Sequence, residues 1–155
     1  GLLMQYNFAV EFSISEEWGV SDLAGPKYLT VLINPSGEDF CDRAKDLANA
    51  NLRDVPVPQG NAAVNMTLKY FGKEGLAIAR RIAMAKAKEM ADEASIAVET
   101  RAEQEYQRMN HLLMMRGKAG ANAALQQLRK NAQEWKKVVS QPQLRLDAIR
   151  LLVCR

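Results

Sequence analysis

Apolar and polar residues alternate along the first segment, with Tyr6, Phe8, Val10 and Phe12 on one side and Asn7, Ala9 and Glu11 on the other. That period of two predicts a half-buried strand over Leu3 to Ser13. A loop carrying Trp18, Gly19, Gly25 and Pro26 follows. The β-branched, apolar run Tyr28 to Ile33 then stops at Asn34-Pro35-Ser36-Gly37. Proline presets φ for the second position of a turn and glycine accepts the left-handed conformation after it, so the chain is expected to reverse here. It either returns through Phe40 and Ala44 as a hairpin or forms a short helix within Asp42 to Asn51. Two prolines in residues 54–61 remove donors and fix φ, which makes that stretch a connector. Val64, Met66, Leu68 and Tyr70 fit a strand or the entry to a helix equally well, and periodicity alone does not decide between them.

From Lys73 the period changes. Leu76, Ala79, Ile82, Ala83, Ala87, Met90, Ala94, Val98, Ala102, Tyr106, Met109 and Leu113 recur at threes and fours with no intervening proline, which predicts one long amphipathic helix. Some forty residues at ~1.5 Å each would reach roughly 60 Å, more than the width of a compact domain of this size, so the helix must protrude or lie against a partner. Gly117 and Gly120 supply the stop. A second helix from about Ala121 to Val139, with Leu125, Leu128, Ala132, Trp135 and Val139 on one face, should fold back antiparallel to the first.

Pro142 ends that helix. Leu144, Leu146 and Ala148 then alternate with Arg145, Asp147 and Ile149, before Leu151 and Val153 take over the opposite parity. A bulge near Ala148-Ile149 would reconcile the halves. Leu146, Ile149 and Leu151 are assigned to the core of a closing strand that pairs with the N-terminal ones. The expected fold is α+β: a small antiparallel sheet built from N-terminal strands and the C-terminal strand, packed with a long antiparallel helical hairpin. It is read as one domain over residues 1–155, with strands and loops in 1–72, the hairpin in 73–140 and the closing strand in 143–153.

Composition narrows the class. Hydrophobic residues make up 48% of the 155 and charged residues 25%, which are globular values. Cys41 and Cys154 lie far apart, outside any CxxC spacing, and are read as free thiols in a reducing compartment. No charged-then-apolar leader opens the sequence and no run nears the ~20 apolar residues that span a bilayer, so the protein is expected to be soluble, cytoplasmic and not secreted. Charge is uneven. Five basic and nine acidic residues precede Lys73, a balance of −4, whereas sixteen basic and nine acidic residues from Lys73 onward give +7. Such a half either faces nucleic acid or an acidic protein, or simply solvates long helices. Arg80, Arg81, Lys86, Lys88, Arg129, Lys130, Lys136 and Lys137 are the candidates for a basic contact face, although the spacing 80, 81, 88 gives no single stripe.

The side chains assemble no reaction. Lys73 follows Gly72, but no glycine-rich cradle precedes it and no Ser or Thr follows, so this is not a P-loop. Asp92-Glu93 sits mid-helix and is expected to face solvent. His111 is the single histidine, without an assignable carboxylate or thiol, and the serines lack a nucleophile-elbow context. Met84, Met90, Met109, Met114 and Met115 lie on or beside the helical stripe and are assigned to core filling. Trp18 and Trp135 are expected to be buried where helices meet sheet. No catalytic, cofactor-binding or metal-binding residue is assigned.

The ending carries more information. Arg145-Leu146-Asp147-Ala148-Ile149-Arg150-Leu151-Leu152-Val153 resembles, without a gap, the string that closes the RapA (HepA) family of bacterial RNA polymerase-associated ATPases of the Swi/Snf type. The Ala-rich helix around Ala83 to Ala94, with Glu89-Met90-Ala91-Asp92-Glu93, and the hairpin from Tyr28 to Ala44 are also similar to family elements. The sequence departs from the family at Arg116-Gly117-Lys118-Ala119-Gly120, where members carry Asn-Pro and an acidic stretch. That leaves open whether the parent is the type member or a related helicase-like ATPase. The resemblance implies a noncatalytic C-terminal domain whose parent hydrolyses ATP with magnesium, moves on nucleic acid and recycles RNA polymerase. RNA polymerase core is then the expected partner, with nucleic acid reached through the parent and no membrane. A nucleic-acid-binding module and a hairpin that dimerises through its methionines are the competing readings.

Overall fold

In the computed structural model, which describes residues 1–12, 27–48, 50, 53, 60, 62–117 and 121–153, the opening alternation forms strand β1, Leu2–Glu11. Met4, Tyr6, Phe8 and Val10 are buried on one face, while Gln5 and Asn7 are half-buried on the other. Strand β2, Lys27–Ile33, repeats the pattern with Leu29, Val31 and Ile33 inward. The Asn7 side-chain oxygen accepts from Gln5 at 3.1 Å and from the Thr30 hydroxyl at 3.0 Å, a polar link on the half-buried face.

The chain reverses after Ile33. Gly37 sits at φ +80° and its N–H donates to the Asn34 carbonyl at 2.9 Å. Both outcomes read from the sequence occur in succession: one antiparallel bridge joins Ile33 to Asp39, then a 3₁₀ turn at Cys41–Arg43 leads into α1, Ala44–Ala48. The loop carrying Trp18 and most of the 54–61 connector lie outside the described residues.

Strand β3, Gln143–Val153, completes a three-stranded antiparallel sheet of order β2-β1-β3, so both ends of the chain do build it. The expected change of parity within β3 is corrected. Leu144, Leu146 and Ala148 are half-buried and Leu152 is buried, all on one parity, while Val153 is 67% exposed. Because the two-residue period keeps its phase, Ile149 falls on the outward side, 44% exposed rather than in the core, and Leu151 is only half-buried.

The long helix also begins earlier than Lys73. Helix α2, Ala62–Tyr70, passes through a π turn, Phe71–Gly75, into α3, Leu76–Met115. The alternation at Met66 and Leu68 is therefore helical, and both side chains are exposed. Its 40 residues give α3 alone a length of about 60 Å. The π turn is held from the sheet: the buried Tyr6 hydroxyl donates to the Phe71 carbonyl at 2.5 Å. Gly75 makes this approach possible, since a Cβ there would lie 2.7 Å from Tyr6 Oη and 2.9 Å from Phe71 Cδ1. Burial, aided by the neighbouring Tyr70, pushes the Tyr6 phenol up to about 12.

Along α3 the buried positions are Ala79, Ala83, Ala87, Ala91, Ala94 and Val98. The methionines do not fill the core as expected: Met84, Met90 and Met109 are half-buried, and Met114 and Met115 are 76% exposed. An alanine stripe brings neighbouring backbone close and leaves no room for a longer side chain. The chain forms two compact units, Gly1–Ala9 with Tyr28–Lys86 and Leu144–Arg155, and Val10–Lys27 with Ala87–Gln143. Tyr6, Ile33, Phe71 and Gly75 meet in the first. Ala94, Val98, Trp135 and Val139 form the core of the second, with Phe12 packed against it.

Candidate functional site

The second unit is the helical hairpin. Gly117, at φ +61°, ends α3 with its N–H donating to the Met114 carbonyl at 3.3 Å. Helix α4 then spans Ala121–Val139, as its apolar spacing predicts. Leu125, Leu128, Trp135 and Val139 fall on one face at helical intervals and are buried. Pairing runs antiparallel: Ala94 and Val98 pack with Trp135 and Val139, Glu99 accepts from the Lys136 ammonium, and Arg129 stacks over the Tyr106 ring at 4.3 Å from its centroid. Trp135 is buried as expected, but in the hairpin core with Ala94, Val98 and Val139 rather than where helices meet sheet; Trp18 lies outside the described residues.

A groove of about 260 Å³ runs between these helices. Ala102, Leu128 and Ala132 supply its apolar surface; Glu99, Glu103, Tyr106, Arg129, Gln133 and Lys136 supply its polar one. Opposite charges face each other across it, so the groove neutralises itself and offers no lone nucleophile or base. Beyond it, Arg108 donates to both Glu105 oxygens, through Nε at 3.0 Å to one, and holds that carboxyl below its usual range. The last turn of α3 leaves Leu112 42% exposed beside the still more open Met114 and Met115.

The eight basic candidates divide between the units. Arg80, Arg81 and Lys86 belong to the first, and Lys88, Arg129, Lys130, Lys136 and Lys137 to the second. All of them except Lys86 are exposed, and Arg129 and Lys136 also line the groove. Lys86 is half-buried beside a cluster that sequence reading missed. Cys41 N–H donates to Asp39 Oδ1 at 2.8 Å, and the free Cys41 thiol lies near both Asp39 and the Lys86 charge. Burial, then the hydrogen bond to Asp39, pushes the thiol up despite Lys86. For Asp39 burial acts upward first, but the Cys41 hydrogen bonds and Lys86 outweigh it and hold the carboxyl below its usual range. The Asp-Phe-Cys spacing was the available signal, but Lys86 is remote in sequence.

Asp92, Glu93 and His111 are exposed, and Lys73 is exposed within the π turn. Among the described residues no group of three or more His, Cys, Asp or Glu is placed to hold a metal ion, and no helix is long and apolar enough to cross a membrane.

The architecture is α+β: a sheet closed by β3, and a hairpin whose apolar faces form a core and whose Glu99 and Lys136 pair across it. The chain matches the model of the RapA_C family, RNA polymerase recycling family C-terminal, over residues 1–154, and belongs to that family. It is a C-terminal domain associated with RNA polymerase and transcription. No curated protein matches it.

Proposed function

We propose that this chain is the noncatalytic C-terminal domain of an ATP-dependent nucleic-acid translocase that binds RNA polymerase core and promotes its recycling in the cytoplasm. Membership of the RNA polymerase recycling family over residues 1–154 carries the reading. The side chains support it by what they are committed to. The Tyr6 hydroxyl is used on Phe71, Trp135 on the hairpin core, Glu99 on Lys136 and Arg129 on Tyr106. ATP and magnesium belong, in this reading, to a motor elsewhere in the parent. Gly72-Lys73 does not fit a phosphate, because it lies in a π-helical turn whose backbone groups bond along the helix rather than ringing an anion.

The test is twofold. Purified chain should co-elute with RNA polymerase core and show no ATP hydrolysis above buffer. Deleting it from the parent should lower multi-round transcription while leaving nucleic-acid-stimulated ATP hydrolysis in place. ATP turnover by the chain itself, abolished by one substitution, would overturn the reading. The exposed Lys88, Lys130 and Lys137 favour direct nucleic-acid contact as the second reading. Binding to duplex or single strands that falls steeply with salt would select it.

A further inference from the structure

Between Tyr106 and Gln133 the sequence holds five Arg or Lys and no Asp or Glu, a balance of +5 in a chain whose total is +3. This stretch forms the distal end of the hairpin, the last turns of α3 and the first of α4. It also carries the densest run of exposed large apolar side chains among the described residues: Leu112, Met114 and Met115. Leu112, Met115 and Arg116 are spaced i, i+3, i+4 and share one side of the helix end, where the Arg116 N–H donates to the Leu112 carbonyl at 3.2 Å, while Met114 projects from the adjoining side of the same last turn. Clustered apolar exposure of this kind marks an interaction site rather than solvent-facing helix. Methionine, unbranched and polarizable, adapts to the partner's contour.

Charge and count decide what kind of partner fits. Of the five cations, Arg108 is held by Glu105 and Arg129 by the Tyr106 ring. The remaining three, Arg116, Lys118 and Lys130, offer few phosphate contacts, and nucleic acid would leave the methionines idle. An acidic protein surface with apolar side chains uses both features: the apolar residues supply the contact and the acid-free surround supplies orientation.

We infer that the distal end of the α3–α4 hairpin, through Leu112, Met114, Met115 and Arg116, docks onto an acidic, apolar-faced surface of RNA polymerase core. The inference rests on the polymerase reading above and names the surface that serves it. It is tested with the full chain immobilised against RNA polymerase core, with short duplex DNA, single-stranded DNA and RNA in parallel arms. Met114→Glu with Met115→Glu should weaken polymerase binding at least tenfold, because two exposed apolar contacts become charges repelled by the partner. Arg116→Glu should weaken it severalfold, and Glu93→Ala, exposed elsewhere on α3, should leave it unchanged. All these positions are exposed, so the variants should keep the wild-type melting curve. If the wild-type chain fails to bind polymerase, the functional reading falls and this docking surface with it. If the wild type binds and the double variant and Arg116→Glu bind within twofold of it, the docking surface alone is overturned. Loss of nucleic-acid binding with polymerase binding intact would also overturn it, in favour of a nucleic-acid contact.

Discussion

Replacing Tyr6 by Phe removes one hydroxyl from the buried contact that joins the central strand to the π turn. The hydroxyl donates to the Phe71 carbonyl at 2.5 Å, and Tyr6 has no solvent exposure. The carbonyl is not orphaned by the change, because it also accepts from the Leu76 N–H. The loss therefore lies near an ordinary buried hydrogen bond, about 1 kcal/mol, rather than near the ~3 kcal/mol of an unsatisfied group. The pH dependence gives a second, independent magnitude. The phenol is raised to about 12 in the fold, against 10 for the free side chain. Its contribution is fully present below the unfolded value and is lost as pH rises through the folded one, since the unfolded chain gives up its proton first. Between those values wild-type stability falls by at most about 1.4 kcal/mol per pH unit from this group, and Tyr6→Phe escapes that fall. Urea unfolding followed by far-UV circular dichroism should show the wild type ahead by about 1 kcal/mol near pH 8 and level with the variant by about pH 11. A difference that stays constant over that range would refute the reasoning, whatever its size.

Gly75→Ala sets two effects against each other: helix propensity favours alanine by about 1 kcal/mol, and overpacking costs ~1–3 kcal/mol. A Cβ 2.7 Å from Tyr6 Oη and 2.9 Å from Phe71 Cδ1 makes the clash win, so the melting temperature should fall; a rise would mean that the π turn yields freely. Trp135→Ala empties the hairpin core that Ala94, Val98, Val139 and Phe12 share, and should cost about 3–5 kcal/mol in denaturant unfolding. Glu99→Gln breaks an ion pair whose side chains are half exposed and should cost under about 1 kcal/mol, with the remainder disappearing in high salt.

The elements legible in the sequence are those whose boundaries have a local cause. Gly117 and Pro142 bracket α4, and the apolar spacing from Leu125 to Val139 fixes its buried face without reference to anything else. The start of the long helix has no such cause. Val64, Met66, Leu68 and Tyr70 alternate like a strand, and Gly72 and Gly75 look like breakers, yet helix runs through all of them because a π turn absorbs the glycines and Tyr6, far away in sequence, bonds it. Ile149 misled for the opposite reason. An apolar side chain near the end of a strand suggests core, but an unbroken period of two places it outward, and only the phase of the entire strand reveals that.

The candidate site follows the same division. Basic residues can be counted from the sequence, but whether a cation is available depends on what lies opposite it. Lys136 meets Glu99 and Arg129 meets Tyr106 across a hairpin, and Lys86 meets Asp39 and Cys41 across the first unit, so three of the eight named cations have acquired internal neighbours. Counting where acids are missing would have been more informative. In the stretch from Tyr106 to Gln133, which has no Asp or Glu, Arg108 reaches back to Glu105, and charge left without such a neighbour is balanced by solvent ions or by a partner. The methionines carried the complementary error: alanines and Val98 take the buried positions of α3, and Met114 and Met115, beside the stripe at the helix end, are exposed. Apolar residues left outside the core and cations such as Arg116 beside them are the two halves of the contact surface inferred for the hairpin end. Each half taken alone reads as ordinary helix.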